Sequence, residues 1–176
     1  CSHGLSGAIV PGWVAYVYSR TTGCWLIQHL WWHYRYTMDQ EFLRDTAYPF
    51  IREIARFIAT QLKKDSQGIH HIAFSSSPEF NDNSRESFGR DSTYDLALIR
   101  FALQTASACA KILGVDQTEA RGWQRILARL QPYHRTPDAH AIFNGRGLAI
   151  WEGQGLSRPH FLPTHLMPIF PLGDVN

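Results

Sequence analysis

The chain has 176 residues, 44% of them hydrophobic and 18% charged, with a formal net charge of +2. That length permits one sizeable core, since a domain of this size hides roughly 70% of its unfolded surface, and the composition excludes a disordered chain. The small charge, with Lys63-Lys64 as the longest basic run, gives no nucleic-acid footprint, and no apolar stretch approaches the roughly 20 residues of a membrane span. Cys1-Ser2-His3-Gly4 has neither the basic start nor the apolar core of a signal peptide, and the chain does not begin with Met, so a processed or excised segment is expected.

Aromatic residues reach 13%, with 6 Trp, beside 9 His. Such a mixture suits sugar sites, where rings lie on aromatic faces and polar tips bond hydroxyls, although a large core with surface histidines explains it more simply. Cys1, Cys24 and Cys109 are too few and too far apart for a zinc site or a disulfide scaffold. Cys109, among Ala106, Ala108 and Ala110, reads as a small buried hydrophobe.

In chain order, residues 1–22 read as irregular, with a turn at Pro11-Gly12. Gly23 to Thr37 carries large residues on every face, which predicts a helix buried nearly all round. Asp39 to Leu43 is a short helical turn. A separate amphipathic helix follows, capped by Thr46 with Pro49 in its first turn. Ala47, Phe50, Ile51, Ile54, Phe57, Ile58 and Leu62 form its apolar stripe, and Asp65-Ser66-Gln67-Gly68 ends it.

Ile69 to Ser76 reads as a short strand or hairpin arm, and Ser77 to Asp91 as a long polar loop, the kind that usually carries function. Ser92-Thr93-Tyr94-Asp95 resembles a capping box, and the helix after it runs to Gly114. Asp116 with Glu119 predicts the next cap, before Trp123, Ile126, Leu127 and Leu130. Beyond Pro132 regular pattern fades, apart from a possible strand at Leu148-Ala149-Ile150-Trp151. No fixed-period repeat is present, so a regular solenoid is not expected. About four helices with long loops and a few short strands make the chain mainly α, and antiparallel helix hairpins without heptads suit a bundle or a helical toroid.

Several separated blocks resemble glycoside hydrolase family 95. The run Cys24-Trp25-Leu26 to His33-Tyr34, followed by Asp39, Glu41-Phe42-Leu43 and Ala47-Tyr48-Pro49, is similar to the family's aromatic block. Ser77-Pro78-Glu79 resembles its S-P-E, Asp95 its M-D, and Ile112-Leu113-Gly114-Val115-Asp116 continues the match. Thr164-His165-Leu166 and Phe170-Pro171 are similar to its S-H-L and Y-P. Two features depart from the pattern: Arg158-Pro159-His160 stands for H-R-H, and Trp151-Glu152 reverses E-W.

This resemblance implies a partial (α/α)₆ toroid, with the chain as a single fragment of a larger catalytic domain, helical over about 23–131 and irregular over 132–176. It implies an inverting exo-glycosidase acting on oligosaccharides with terminal α-L-fucosyl or α-L-galactosyl residues, with Glu79 as general acid. Trp25, Trp32, His33, Tyr34 and His165 become candidate substrate contacts, although helix aromatics are more often core. The family's water-activating aspartate belongs to a Q-I-D-G-N motif that this sequence lacks, and its paired asparagines to an N-x-N motif expected upstream of S-P-E. They would lie beyond Asn176 and before Cys1, so the remaining parts of a parent polypeptide are expected partners. The rivals are another toroid glycosidase or phosphorylase, and a non-catalytic carbohydrate-binding or helical interaction domain.

Inversion requires one carboxyl group to protonate the leaving oxygen while a second group activates water from the opposite face, roughly 6.5–9.5 Å away. The acid must keep its proton near neutral pH, through burial or a neighbouring negative charge. Glu79 follows a proline and opens a polar loop; without the family it reads as a loop carboxylate capping Asn81 or Ser84. His29 and His33 have the i, i+4 spacing of a metal pair but no third ligand in a recognisable motif, so no metal is expected. Nucleotide-binding glycine motifs and G-x-S-x-G are absent, so no cofactor and no serine nucleophile are expected. Secretion or a periplasmic location fits enzymes that meet extracellular glycans, though no residue assigns a compartment.

Overall fold

The computed structural model describes residues 18–137, 146–155 and 162–175. Pro11-Gly12 and Arg158-Pro159-His160 lie outside the described residues. The fold is mainly α-helical and divides into two compact units, one of 21–70 with 98–130, the other of 71–97 with residues 18–20 and those described after 130.

In the first of these, α1 (Thr22–Thr37) buries Cys24, Ile27, Gln28 and Tyr34, a single stripe at three- and four-residue steps. Leu26, Trp32 and Tyr36 are exposed, so the expectation of a helix buried on all sides is corrected. Met38 closes the helix in the left-handed region, at φ 55°, its N–H donating to the Tyr34 carbonyl. Asp39 caps the next helix, α2 (Gln40–Phe42), its carboxylate accepting from the Glu41 and Phe42 amides.

The break expected at Thr46 does not occur. Leu43–Ala47 is a π-helical turn that carries α2 directly into α3 (Tyr48–Gln61). The reason lies in Pro49, which has no N–H and whose ring would crowd the carbonyl four residues back in a regular helix. The wider turn takes up that misfit, with the Tyr48 N–H reaching the Leu43 carbonyl.

Helix α3 buries Tyr48, Ile51, Ala55 and Ile58, and a Cβ at Gly23 would approach Ile54 Cδ1 to 2.5 Å, so α1 and α3 cross at that glycine. Phe50 and Phe57, assigned above to the buried stripe, are exposed. They extend an apolar arc too wide for the neighbours present to cover.

Helix α4 (Thr93–Leu113) ends as expected at Gly114, with φ 70° and the Val115 N–H on the Ala110 carbonyl. By length and mean hydropathy α4 is apolar enough to cross a membrane, contrary to the sequence reading, but 67% of that apolar window is buried inside the protein. A core helix of a globular fold passes the same test. Cys24 and Cys109 are buried free thiols, and burial pushes the Cys109 thiol up to about 12.

Asp116, expected to cap α5 (Gln117–Leu127), makes no cap bond. Its carboxylate instead accepts the Tyr48 hydroxyl at 2.8 Å and faces Arg52 at 3.4 Å. Glu119 is held bidentately by Arg56, with one contact at 2.8 Å. These long-range bonds out-compete the local cap and tie α5 to α3.

The other unit is built of short pieces. Strand β3 (Ser75–Ser76) pairs antiparallel with β4 (Phe88–Gly89), after β1 (Lys63–Lys64) and β2 (His70–His71) earlier in the chain. Strands β5 (Arg135–Pro137) and β6 (Arg146–Leu148) form a second antiparallel pair. Residues 149–151 are not strand beyond a bridge between Trp151 and Gln154.

Two expectations follow. Met38→Gly relieves an exposed left-handed residue, and should raise unfolding free energy by about 1 kcal/mol, net of the extra freedom glycine has when unfolded; urea denaturation measures it. The Tyr48 hydroxyl, then Arg52, holds the Asp116 carboxylate below its ordinary range, and Arg56 does the same for Glu119. A depressed folded pKa stabilises above the unfolded value and is lost as pH falls through the folded one. The urea midpoint of the wild type should therefore drop with acid more steeply than that of Asp116→Asn or Glu119→Gln.

Candidate active site

Ser77-Pro78-Glu79 sits where β3 turns into the polar loop. The Phe80 N–H closes this turn on the Ser77 carbonyl at 2.8 Å, and the Pro78-Glu79 peptide is cis. The loop is less irregular than its composition suggests, with 3₁₀ turns at Phe80–Asn83 and Arg85–Ser87 before β4. Ser77 and Pro78 are buried, Phe80 is buried, and Glu79 between them remains partly exposed. The backbone is thus clamped on both sides of a carboxylate that reaches solvent.

Three sets of contacts hold the clamp. Below it, the Ser75 hydroxyl lies 2.6 Å from a carboxylate oxygen of Asp95, and the Ser76 N–H donates to the same oxygen at 3.1 Å. Ser92 completes the knot: its hydroxyl donates to the Ser76 carbonyl at 2.7 Å, and it accepts the Asp95 N–H at 3.1 Å as the cap of α4. To one side, the Phe80 ring meets Trp151 edge to face at 5.2 Å, and Trp151 in turn lies against Gly89, where a Cβ would come within 2.7 Å of the indole. On a third side the Ser77 and Thr164 hydroxyls are 2.8 Å apart.

Asp91 forms a second buried carboxylate centre. Its oxygens take the Ile72 N–H at 2.7 Å, His71 Nδ1 at 2.6 Å and Arg90 Nε at 3.2 Å. Asp91 itself adopts φ 55°. With His71 buried beside it, this pair anchors the approach to β3 and leaves no open coordination. No group of three or more His, Cys, Asp or Glu able to hold a metal occurs among the described residues.

The structure places Glu79 and His165 in one unit. The Ser77–Thr164 contact ties the Glu79 turn to the 3₁₀ turn Thr164–Leu166, on which His165 is buried. Trp25, Trp32, His33 and Tyr34 all lie on α1, in the other unit, and the four do not share one face. Tyr34 is buried, with Gln40 donating to its hydroxyl at 3.3 Å. Trp25 is half-buried, Trp32 is exposed with His29 edge-on, and His33 packs on Phe42 at 4.2 Å between centroids.

The sequence reading missed the His71–Asp91 pair, the role of Ser75 and Thr164, and Trp151 as the support for Phe80. Asp91-Ser92, immediately before a helix, was the available signal for the His71–Asp91 pair and for Ser75, since such residues bond backbone from capping positions; Thr164 had none.

Residues 5–140 match the glycosyl hydrolase family 95 catalytic domain, and the chain belongs to that family. Its curated relatives include alpha-L-fucosidase 2 of Arabidopsis thaliana, 34% identical over 96 residues, which are 52% of this chain and 11% of that protein. The probable alpha-fucosidase A of Aspergillus niger (strain ATCC MYA-4892 / CBS 513.88 / FGSC A1513) is 39% identical over 44 residues, 25% of this chain and 6% of that one. The matches therefore span about a tenth or less of the length of these relatives.

The support of Phe80 by Trp151 can be tested directly. Gly89→Ala puts a methyl group into the indole and should lower stability by about 1–3 kcal/mol, the usual penalty of overpacking a well-filled site. Thermal melting measures it, and Gly122→Ala, where a new Cβ meets nothing within 4 Å, serves as the control.

Proposed function

We propose that the chain is the acid-bearing part of an (α/α)₆ toroid enzyme that removes terminal α-L-fucosyl, or α-L-galactosyl, residues from oligosaccharides with inversion. Glu79 is the general acid. The observation that carries the reading is the turn itself: Ser75 and Ser76 before it are held by Asp95, Ser77 by Thr164 and Phe80 by Trp151, while Glu79 alone of residues 77–80 keeps access to solvent. Membership of family 95 and the names of the two fucosidase relatives support the substrate class.

The chemistry follows from that geometry. A proton donor must meet the glycosidic oxygen within hydrogen-bond reach as the bond to the anomeric carbon breaks. A carboxyl on a loosely held loop would lose that alignment, and misplacement by about 1 Å can reduce rate a hundredfold. The clamped turn keeps the Glu79 backbone fixed and leaves only its side-chain torsions to adjust. Water attacks from the opposite face of the sugar, activated by a second group. By resemblance that role falls to an aspartate in a Q-I-D-G-N motif that this sequence does not contain. His165 and the aromatic residues Trp25, Trp32, His33 and Tyr34 of α1 are proposed sugar contacts, for hydroxyls and ring faces respectively.

Hydrolysis of an α-1,2-fucosylated oligosaccharide by the polypeptide carrying this chain should fall about 10²–10⁴-fold in Glu79→Gln, the usual contribution of general acid catalysis. The loss should shrink for an aryl fucoside whose leaving group needs no proton. The first fucose released should be the β-anomer by NMR. Retained activity in the variant would remove Glu79 from the mechanism, and an α-anomer product would remove inversion.

A further inference from the structure

In the unit formed by residues 21–70 and 98–130, a cleft of about 600 Å³ opens between the β1–β2 turn and one face of α5. Lys64 and His70 line it from the turn side. Arg125, from the last turn of α5, and Arg129, two residues past its end, line it from the helix side. No carboxylate contributes to the lining. Asp65 is the acidic residue next to Lys64 in sequence, and its Oδ1 is already taken by the Gln67 and Ile69 amides, each at 2.9 Å.

The cleft is held open by backbone. The His70 N–H donates to the Arg129 carbonyl at 2.7 Å, and His70 bridges to Leu130, so the two walls are tied at their base without help from the charged side chains. Gly68 and Gly122 keep the space between the walls clear: a Cβ on either would meet no heavy atom within 4 Å. Glycine at Gly68 has a local reason, its φ of 79° in the turn. Gly122 has no such reason. It sits inside a regular helix, where glycine is disfavoured against alanine, and it lines the cleft where a Cβ would enter open space.

Helix α5 offers a simpler account of two of the cations, because arginines near a helix C-terminus offset its partial negative end. That account reaches neither Lys64, which comes from a different element, nor the gap at Gly122. The charges are also uncommitted. Lys64, Arg125 and Arg129 form no ion pair with a described residue, and Arg125 makes one bond, from Nε to the Arg121 carbonyl at 3.3 Å. By contrast Arg52 and Arg56 in the same unit are paired with Asp116 and Glu119.

We infer that this cleft binds an acidic sugar, one bearing a sulfate ester or a uronate carboxylate. Guanidinium groups donate two parallel bonds to such oxyanions, and Lys64 adds a point charge. The volume falls within the roughly 300–1,000 Å³ of small-molecule sites and exceeds what a bare oxyanion fills. Ile126 supplies an apolar surface for the C–H face of a sugar ring. The anion follows from the cleft itself; the choice of a sugar as its carrier rests on the carbohydrate reading proposed above. The site lies apart in sequence from Glu79 and takes no part in bond cleavage.

Isothermal titration calorimetry of the protein tests this with galactose 6-sulfate and glucuronic acid, against galactose, glucose and inorganic sulfate. At least one acidic sugar should bind and both neutral sugars should not. A preference between the two acidic sugars identifies the oxyanion. Raising NaCl to about 0.5 M should weaken binding about tenfold, since the partners are solvent-exposed charges. Arg129→Glu should abolish binding, and so should Gly122→Met, which fills the cleft with a good helix former and should leave the melting temperature no lower. Equal binding of neutral and acidic sugars, binding of inorganic sulfate as tight as that of galactose 6-sulfate, or binding that survives both substitutions would overturn the inference. Calorimetry needs no turnover. Acidic-sugar binding together with Glu79→Gln that keeps full activity would therefore refute the catalytic reading alone.

Discussion

One oxygen of the Asp95 carboxylate accepts from both the Ser75 hydroxyl and the Ser76 amide, and the geometry of the candidate site depends on that shared anchor. Asp95 belongs to the first turn of α4, where the helix dipole favours a negative charge, so the helix end that presents the carboxylate also stabilises it. Ser92, one position before the helix, accepts the Asp95 amide and donates to the Ser76 carbonyl. Helix start and strand end are thereby fixed by the same three side chains. A buried knot of this kind works because every member is satisfied, and removing one partner would leave a buried polar group exposed to the full penalty of desolvation.

The order of anchors along the chain explains why Glu79 can be both well placed and accessible. Ser75 and Ser76 are anchored on Asp95, Ser77 on Thr164, and Phe80 on Trp151. Small hydroxyl side chains suit the polar anchors, because they bond a facing polar group at close range, and a large ring suits the apolar one, because it reaches across to another segment. Glu79, between them, is long enough to project beyond the clamp. The division leaves its side chain partly exposed at the surface of the clamp.

Local signals in the sequence were sufficient for the helices and poor for everything that depends on distant partners. Helix α1, the Ser92 cap and the Gly114 stop follow from an unbroken run of large residues, from a hydroxyl before a helix and from a glycine after its last turn. Strands β3 and β4, at two residues each, are too short for alternation to show. The π-turn escaped for a related reason: Thr46 and Pro49 look like a helix start, and nothing local reveals that Asp39 had already begun it. Asp116 shows the limit most plainly, since its sequence context is that of a cap while its actual partners, Tyr48 and Arg52, stand more than 60 positions earlier. Of the candidate site, Glu79 was legible through its motif, whereas the His71–Asp91 and Phe80–Trp151 supports are pairings across 20 and about 70 positions that no local pattern encodes.

Charged groups are put to three physically different uses in this chain, and burial separates them. Asp91 and Asp95 are buried and fully engaged, so they specify geometry around the Glu79 turn. Arg52 and Arg56 pair with Asp116 and Glu119 at half-exposed positions, where solvent screening weakens each pair; what they contribute is the alignment of α5 on α3 more than its stability. Lys64, Arg125 and Arg129 are exposed and form no ion pair with a described residue, and they converge on one cleft. Like charges gathered without a counter-ion repel one another, and such an arrangement is tolerated at low energetic penalty only while water screens it. A ligand that brings the missing negative charge would relieve that repulsion as well as form its own bonds, which is why convergence, and not the count of cations, marks the cleft as a site.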